Sequence, residues 1–452
     1  MNIKVPPAVQ ANPFAILTKN DPDKLEQYLE FYNPMDKKGR YLPYDELRHR
    51  IANGLDHKLA WSLTKLSRIR QQAALLEMGE PAAPCCYMLT PLIQKAVSEV
   101  DRNTTTASLE WISSKIGEKS QFEYLLKDLI EDESISSSQL EGAATTTQVA
   151  KDLIKRNRKP RSEDERMILG NYKMMLHAWD MRHQPLSLDL IRDLHKIGVE
   201  GIDDDAYAPG HFRKTNNVHV VSSDGEIVHT PPPCENLKTR LKSIVDWANF
   251  DHDKNDDSSY VHPLVKAIVL HFCIGYEHPF RDGNGRVARA LFYWYMFKKD
   301  FSAFRYIAIS VLLKKAPTKY GKSYLYTETD QMDLTYFIEY QSSIIIRAIG
   351  KFKEAYSQAS LDIDSFNKWL FDSGLYSQLN DKQRVVFQVA KSGISIAFTI
   401  RSVERNLGCS YNTAAAVLNG LVALKLFRKS KEGRSWIYVM EEKDKIIKEW
   451  ID

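Results

Sequence analysis

The feature that most constrains this chain is a pair of long stretches with apolar residues at helical spacing, His262 to Tyr276 and Arg286 to Phe297, separated by a short glycine-containing break. Such stretches describe helices, and Cys273, which sits in an apolar helical run, is expected to be plainly buried. The break, HPFRDGNGRVAR from His278 to Arg289, lies between the two helices. Gly283 and Gly285 allow backbone angles and close approaches that a side chain would block, so that amides can converge on an anion. A helix starting at about Asn284 or Arg286 points its positive end to the same spot. Arg286 and Arg289, about one turn apart, add two fixed positive charges. Polyphosphate is the ligand these features suit. Asp282 would repel a phosphate unless a hard cation bridges the two, so Mg2+ is expected with Asp282 as its ligand. His278, four residues earlier, is the candidate base, because an unperturbed imidazole best accepts a proton at neutral pH. Phe280 is expected to anchor the loop. The implied chemistry is attack by a deprotonated hydroxyl on a phosphorus held in line by magnesium and the amides.

At 452 residues the chain is long enough for two or three cores. Its 62 Lys and Arg nearly cancel 58 Asp and Glu, so any polyanion site must be local rather than global. Cys85, Cys86, Cys234, Cys273 and Cys409 form no CxxC pair, and His211, His262 and His271 have no acidic or cysteine partners at ligand spacing, so no zinc is assigned. A reducing cytoplasmic location is the simplest reading. The N-terminus lacks an apolar signal region, and no stretch reaches the roughly 18 uncharged apolar residues needed to span a membrane.

Patterning along the chain predicts a mainly α fold. Residues 1 to about 55 look like an irregular lead-in with short helices that wraps over something else. Helical periodicity runs from Leu59 to Leu76, Leu92 to Glu99 and Leu109 to Ile116, giving an N-terminal helical region over 1–110. A core over 111–360 follows. It includes a helix over 134–146, with Ser137 or Ser138 as a plausible N-cap for the turn carrying Glu141, and a hairpin over 210–232 that turns at Asp224 and Gly225. That hairpin is the only clear one before the C-terminus. Residues 361–452 read as a winged helix-turn-helix: helices at Asp381 to Lys391, near Ile400 to Asn406 and from Ser410 to Leu424, then two strands. Ser410, Tyr411, Asn412 and Thr413 would open a recognition helix, and Arg428, Lys429, Lys431 and Arg434 form a basic wing broken by Glu432, so DNA contact and protein docking both stay open.

The run HPFRDGNGRVAR matches in full the HxFx(D/E)GNGRxxR motif of the Fic family, with eight defined positions in twelve, and its helical flanks resemble that family too. The resemblance extends over roughly residues 85 to 350. It implies a Fic helical core with a β-hairpin flap and transfer of AMP from ATP to a Ser, Thr or Tyr hydroxyl of a target protein. His278 would be the base and Asp282 the magnesium ligand. Gly283, Asn284 and Gly285 would surround the α-phosphate, and Arg286 and Arg289 would hold the outer phosphates. The alternating Gly-Asn-Gly separates the chain from the related Doc proteins, which orient the nucleotide oppositely. The hairpin resembles the flap that pairs with a target's backbone as an added strand. Tyr320 and Tyr324 fall where the family lines the adenine pocket, although both also suit a core. SSQLEG, Ser137 to Gly142, matches the (S/T)xxxE(G/N) inhibitory motif, implying that Glu141 pairs with Arg289 in place of the γ-phosphate and holds the enzyme off. A regulatory homodimer is compatible with inhibition of this kind. Two other readings stay open: a de-AMPylase in which Glu141 orients water, and a DNA-binding regulator with a nucleotide-sensing core.

Overall fold

The structure, a computed structural model, describes residues 3–110, 131–155, 158–202, 207–222, 225–252, 260–391, 397–432 and 435–451. They divide into two compact units, one within Met1–Thr106 and Leu129–Gly350, the other within Ala107–Asp128 and Lys351–Asp452. Helices dominate both, with small antiparallel hairpins. Among the described residues no helix is long and apolar enough to cross a membrane.

The first unit runs α1 (His57–Ile69), β1 (Ala73–Met78), β2 (Ala83–Tyr87), α2 (Pro91–Asn103), α3 (131–140), α4 (Thr147–Lys155), α5 (Glu163–Asp180) and α6 (Leu188–Gly198). It continues with β3 (Val220–Val221), β4 (Ile227–His229), α7 (Leu237–Asn249), α8 (Pro263–Glu277), α9 (Asn284–Lys298), α10 (Pro317–Thr329) and α11 (Thr335–Asp372), the last belonging to this unit up to Gly350. Its centre is the pair α8 and α9, buried without interruption from Leu264 to Ile274 and from Arg286 to Phe297. Pro263 at the first turn and the His262 ring accepting from the Leu264 amide start α8, since a proline there loses no helical bond. Helices α5 and α6 cover α9, and α7 covers α8. The α5–α6 crossing is unusually tight: a Cβ on Gly170 would lie 2.6 Å from the Gly198 carbonyl oxygen.

The lead-in wraps α1. Leu17 and Tyr28 pack on Leu59 and Leu63, while Leu42, Tyr44 and Leu47 pack on Trp61. The inner face of α1 is charged and buried. Lys65 lies 2.9 Å from Asp330 and 3.5 Å from Asp333, the Tyr41 hydroxyl donates to Asp333, and Arg68 donates to the Tyr336 hydroxyl and the Leu42 carbonyl. Two cations meet two carboxylates here, which is how buried charge is tolerated. The network fixes the turn between α10 and α11.

Three expectations are corrected. The helical reading from Leu59 to Leu76 is too long: the helix stops at Ile69, and Leu75 and Leu76 lie in β1, paired with β2. A second hairpin therefore precedes the flap, and tertiary pairing outweighs the local period, because Cys86 bonds backbone to backbone with Met332 and Leu334. The helix expected over 134–146 is observed over 131–140, so Ser137 and Ser138 lie inside it rather than at its N-cap. The flap strands are only two and three residues long. Gly225 turns with φ of 80°, while Asp224 lies outside the described residues, as do Arg434 and the helical reading beyond Glu110.

The second unit contains α12 (Asp381–Lys391), α13 (Ile400–Leu407), α14 (Tyr411–Ala423), the antiparallel pair β5 (Phe427–Glu432) and β6 (Ser435–Met440), and α15 (Lys443–Ile451), the last unforeseen from sequence. Phe387, Leu418, Leu421, Leu426 and Tyr438 form its core. Gly408, with φ of 58°, ends α13 in the left-handed conformation that lets α14 start within three residues.

The glycine crossing yields a prediction. Helix propensity alone favours Gly170→Ala by about 1 kcal/mol, yet the added methyl must displace the Gly198 carbonyl, which also accepts from Arg286 Nη1 at 2.9 Å. The expected result is a loss of about 1–3 kcal/mol in urea or thermal unfolding.

Candidate active site

Helix α8 ends on a residue that rarely tolerates such a position. His278 has φ of 46°, a left-handed conformation costing a side-chain-bearing residue about 1–2 kcal/mol. It persists because each carbonyl of the turn has a donor. Gly275 O faces His278 Nδ1 at 3.2 Å, Tyr276 O faces His229 Nε2 at 2.8 Å, and Glu277 O faces Arg213 Nη2 at 3.4 Å. His278 O accepts from Arg213 Nε at 3.0 Å, and Pro279 O accepts from the Arg213 amide at 2.8 Å. A carbonyl accepts only, so His278 Nδ1 carries the proton and Nε2 keeps its lone pair. Burial pushes the His278 pKa down to about 4, against the opposing Gly275 bond, so the ring is neutral at pH 7. A neutral imidazole with a fixed tautomer is a competent base.

Phe280 is fully buried and stacks on the His195 ring, centroids 3.8 Å apart and nearly parallel. His195 accepts from the Gly210 amide through Nδ1, which leaves Nε2–H to donate to the Asp282 carbonyl at 3.0 Å. Burial lowers its pKa to about 4. One ring therefore joins α6, the root of the flap and the loop.

The Asn284 side chain is engaged within the loop. Its Oδ1 accepts from the Phe280 amide at 2.8 Å and its Nδ2 donates to the Phe280 carbonyl at 2.9 Å, closing the loop into a ring. Gly283, with φ of 79°, is the N-cap of α9, and a Cβ there would lie 3.3 Å from both Arg286 Nη2 and the His195 ring. A Cβ on Gly285 would lie inside contact distance of Glu141 Oε1. Both glycines are required by close approach. Asp282 is exposed at the mouth, its Oδ1 accepting from the Gly283 amide.

Arg286 and Arg289 are each 1% exposed. Arg286 donates to Gly198 O through Nη1, while its Nε and Nη2 are buried without a hydrogen-bond partner, as is Nη1 of Arg289. Buried guanidinium N–H groups of this kind suit phosphate oxygens. Arg289 donates through Nε to Ser137 Oγ at 2.8 Å, and through Nη2 to Ser137 O at 3.1 Å and Glu141 Oε1 at 2.8 Å. Burial opposes ionisation of Glu141, but the charge and hydrogen bond of Arg289, with Arg286 behind, hold its pKa below the usual carboxylate value. The Glu141 side chain is still 26% exposed, against 1% for Arg289.

Tyr320 and Tyr324 lie half-buried on α10. The Tyr320 hydroxyl is 2.7 Å from His271 Nε2 and 3.4 Å from the Tyr324 hydroxyl, and Tyr324 stacks on Phe272. Gly275 carries no side chain because a Cβ would be 2.5 Å from the Tyr324 hydroxyl. His262, considered with His271 and His211 for metal, caps α8 and contacts Asp101 at 3.0 Å. His195, Arg213 and His229 were not foreseen. Only His195 left a trace in the sequence, as a polar residue on the apolar stripe of Leu190, Ile191, Leu194 and Gly198.

Two outcomes follow from this geometry. Asn284→Ala leaves the buried Phe280 peptide group unpaired and should lower stability by about 1–3 kcal/mol, read by thermal unfolding. Carbon-13 NMR of the His278 ring should show titration near pH 4; a midpoint in the ordinary range of about 6.5 would mean that the ring is not desolvated as described.

The segment that holds this loop is similar to known proteins. A model described as the Fic/DOC family matches residues 185–296. The chain is 34% identical over 119 residues to protein adenylyltransferase fic-1 of Caenorhabditis elegans, covering 26% of this chain and 21% of that protein. It is 37% identical over 82 residues to protein adenylyltransferase Fic of Nematostella vectensis, covering 18% and 16%. The chain thus spans about a fifth of the length of the curated relatives it matches. Among solved structures it is similar to a Fic family protein from Desulfovibrio desulfuricans, with 18% identity, a TM-score of 0.47 and coverage of 78% and 97%. The loop, α8, the flap and all but the last two residues of α9 fall inside the matched segment, which is similar to the Fic/DOC family.

Proposed function

We propose that this protein is a self-inhibited protein adenylyltransferase that moves AMP from ATP to a Ser, Thr or Tyr hydroxyl of a target protein and releases pyrophosphate. One observation carries the reading: a single short loop holds a neutral imidazole at one end and, at the other, a helix start bearing two buried guanidiniums with unpaired N–H groups. The names of the C. elegans and N. vectensis relatives support the same reaction.

His278 Nε2 takes the proton of the incoming hydroxyl. The oxygen forms a bond to the α-phosphorus, the bond from that phosphorus to the bridging oxygen breaks, and pyrophosphate leaves. Gly283 and Gly285 let the α9 amides approach the α-phosphate, while Arg286 and Arg289 take the outer phosphates. Among the described residues no cluster of three His, Cys, Asp or Glu could hold a metal alone, but one exposed carboxylate beside a phosphate pocket fits a Mg2+ that is shared with ATP. Asp282 would hold it, and the ion would neutralise charge building on the phosphates. Tyr320 and Tyr324 offer aromatic surface for adenine. Glu141, by occupying Arg289, denies that guanidinium to the γ-phosphate, so the resting enzyme is slow. Its free cysteines suit a reducing cytoplasm.

Wild type, Glu141→Gly and His278→Ala incubated with ATP labelled at the α- or γ-phosphate should transfer α-label only. Glu141→Gly should transfer roughly 5–150-fold more than wild type, and His278→Ala roughly 10²–10⁴-fold less. Transfer of γ-label, or full activity in His278→Ala, overturns the mechanism. Removal of AMP from a labelled target by wild type but not by Glu141→Gly would instead identify de-AMPylation.

A second reading concerns the unit from Lys351. Its order of three helices and a hairpin, the exposed Tyr411 at the start of α14, and Lys429 stacked 4.6 Å over the exposed Trp436 ring support a winged helix-turn-helix that contacts DNA. Duplex retention that does not weaken with salt would rule this out.

A further inference from the structure

The two roots of the flap hairpin dock on consecutive carbonyls at the end of α8. At the entry, Arg213 donates to Glu277 O and His278 O through its side chain and to Pro279 O through its amide, and also to Thr215 O at 3.3 Å and to Pro232 O across the hairpin. At the exit, His229 of β4 reaches Tyr276 O through Nε2 and Glu328 Oε2 of α10 through Nδ1, both at 2.8 Å. Arg213 is 4% exposed and His229 9%. The same turn holds His278.

The partners of His229 settle its protonation state. A carbonyl and a carboxylate oxygen only accept, whereas a neutral imidazole has one N–H. Both bonds can exist together only for the imidazolium. We propose that Arg213 and His229, the latter as an imidazolium, are positioning residues that pin both roots of the flap to the turn carrying the base, so that loss of one proton from His229 loosens the flap. This rests on the transfer reading for its catalytic meaning, while the clasp itself is independent of it.

The groups around His229 favour its charge. Glu328 faces it from α10. From α8 come the Tyr276 ring, centroids 5.2 Å apart, and Glu277, itself 2.9 Å from Arg240. On the same turn are His278, which is neutral, and the contacts of Arg213 from the other root of the flap, while His219 of the hairpin lies by Thr230. Burial works against protonation, but the Glu328 bond and charge, with the Tyr276 carbonyl, raise the His229 pKa above 6.5. A raised folded-state value means that the clasp is complete below the ordinary imidazole range and loses one bond as pH rises through the folded value.

The test uses the full chain with carbon-13-labelled histidine, His229 being assigned by its absence in His229→Gln. In wild type its ring should titrate above the ordinary value of about 6.5, with a lower midpoint in Glu328→Gln. Hydrogen exchange of the flap amides, corrected for intrinsic rates at each pH, should accelerate roughly tenfold through that same midpoint. His229→Gln should exchange fast at every pH with no step. Arg213→Lys should exchange faster throughout with an unmoved midpoint. In the α-label assay wild type should lose transfer across the step and His229→Gln should show none, with ATP affinity within about twofold in both. A His229 ring that is neutral below pH 6 (about half a unit under the ordinary value), or flap protection in His229→Gln equal to wild type at all pH values, overturns the clasp. Absence of α-label transfer in Glu141→Gly would sink the transfer reading while leaving these two readouts intact.

Discussion

The left-handed turn at His278 is the constraint on which the rest of the site depends. A helix terminus leaves carbonyls without partners, and a non-glycine residue at positive φ adds a cost of its own. Here donors converge from the His278 ring, the flap and its roots, so that Gly275 to Pro279 are all engaged. His278 therefore cannot be placed without also placing the flap. Behind it, the Asn284 clamp on Phe280 and the Phe280–His195 stack hold the loop closed against α6. These contacts fix the positions of the α9 amides and of the two guanidiniums.

Buried charge appears twice in the first unit, in two different settings. Lys65 and Arg68 on α1 meet Asp330 and Asp333 with every member nearly inaccessible, which suits a permanent weld between the lead-in and the α10–α11 turn. Arg289 is equally buried, but its carboxylate partner Glu141 sits just past the end of α3 and is partly open to water. Desolvation of both partners makes an ion pair hard to exchange; desolvation of one leaves the other able to yield to a competing anion. The second pair is the more open of the two, with one partner reachable by water.

Where reading the pattern failed, tertiary partners explain why. Leu75 and Leu76 continue the helical period of α1, yet they enter β1, because β2 is in turn tied to the α10–α11 turn through Cys86. Ser137 looks like a cap beside its polar neighbours, but within α3 its hydroxyl and carbonyl both serve Arg289, more than a hundred residues away in sequence. His229 and Arg213 sit in a polar, loop-like stretch whose composition says nothing of partners on α8 and α10.

Local chemistry was legible where residues act through neighbours in the chain. Two helical runs with a glycine-containing turn between them were legible from the sequence, and His278, Asp282, Arg286 and Arg289 at their spacing suggested the anion site with a base that is proposed here. Backbone conformation and helix dipoles are set within a few residues, so sequence by itself determined that much. Only the tertiary structure decided which tautomer and charge state His278 holds, that Asn284 closes the loop, and that Glu141 reaches Arg289. The same is true of the flap, both of whose ends rest on the carbonyls of the turn that carries His278. Desolvation and hydrogen-bond partners across the fold control these properties, and neither is encoded at any single position of the chain.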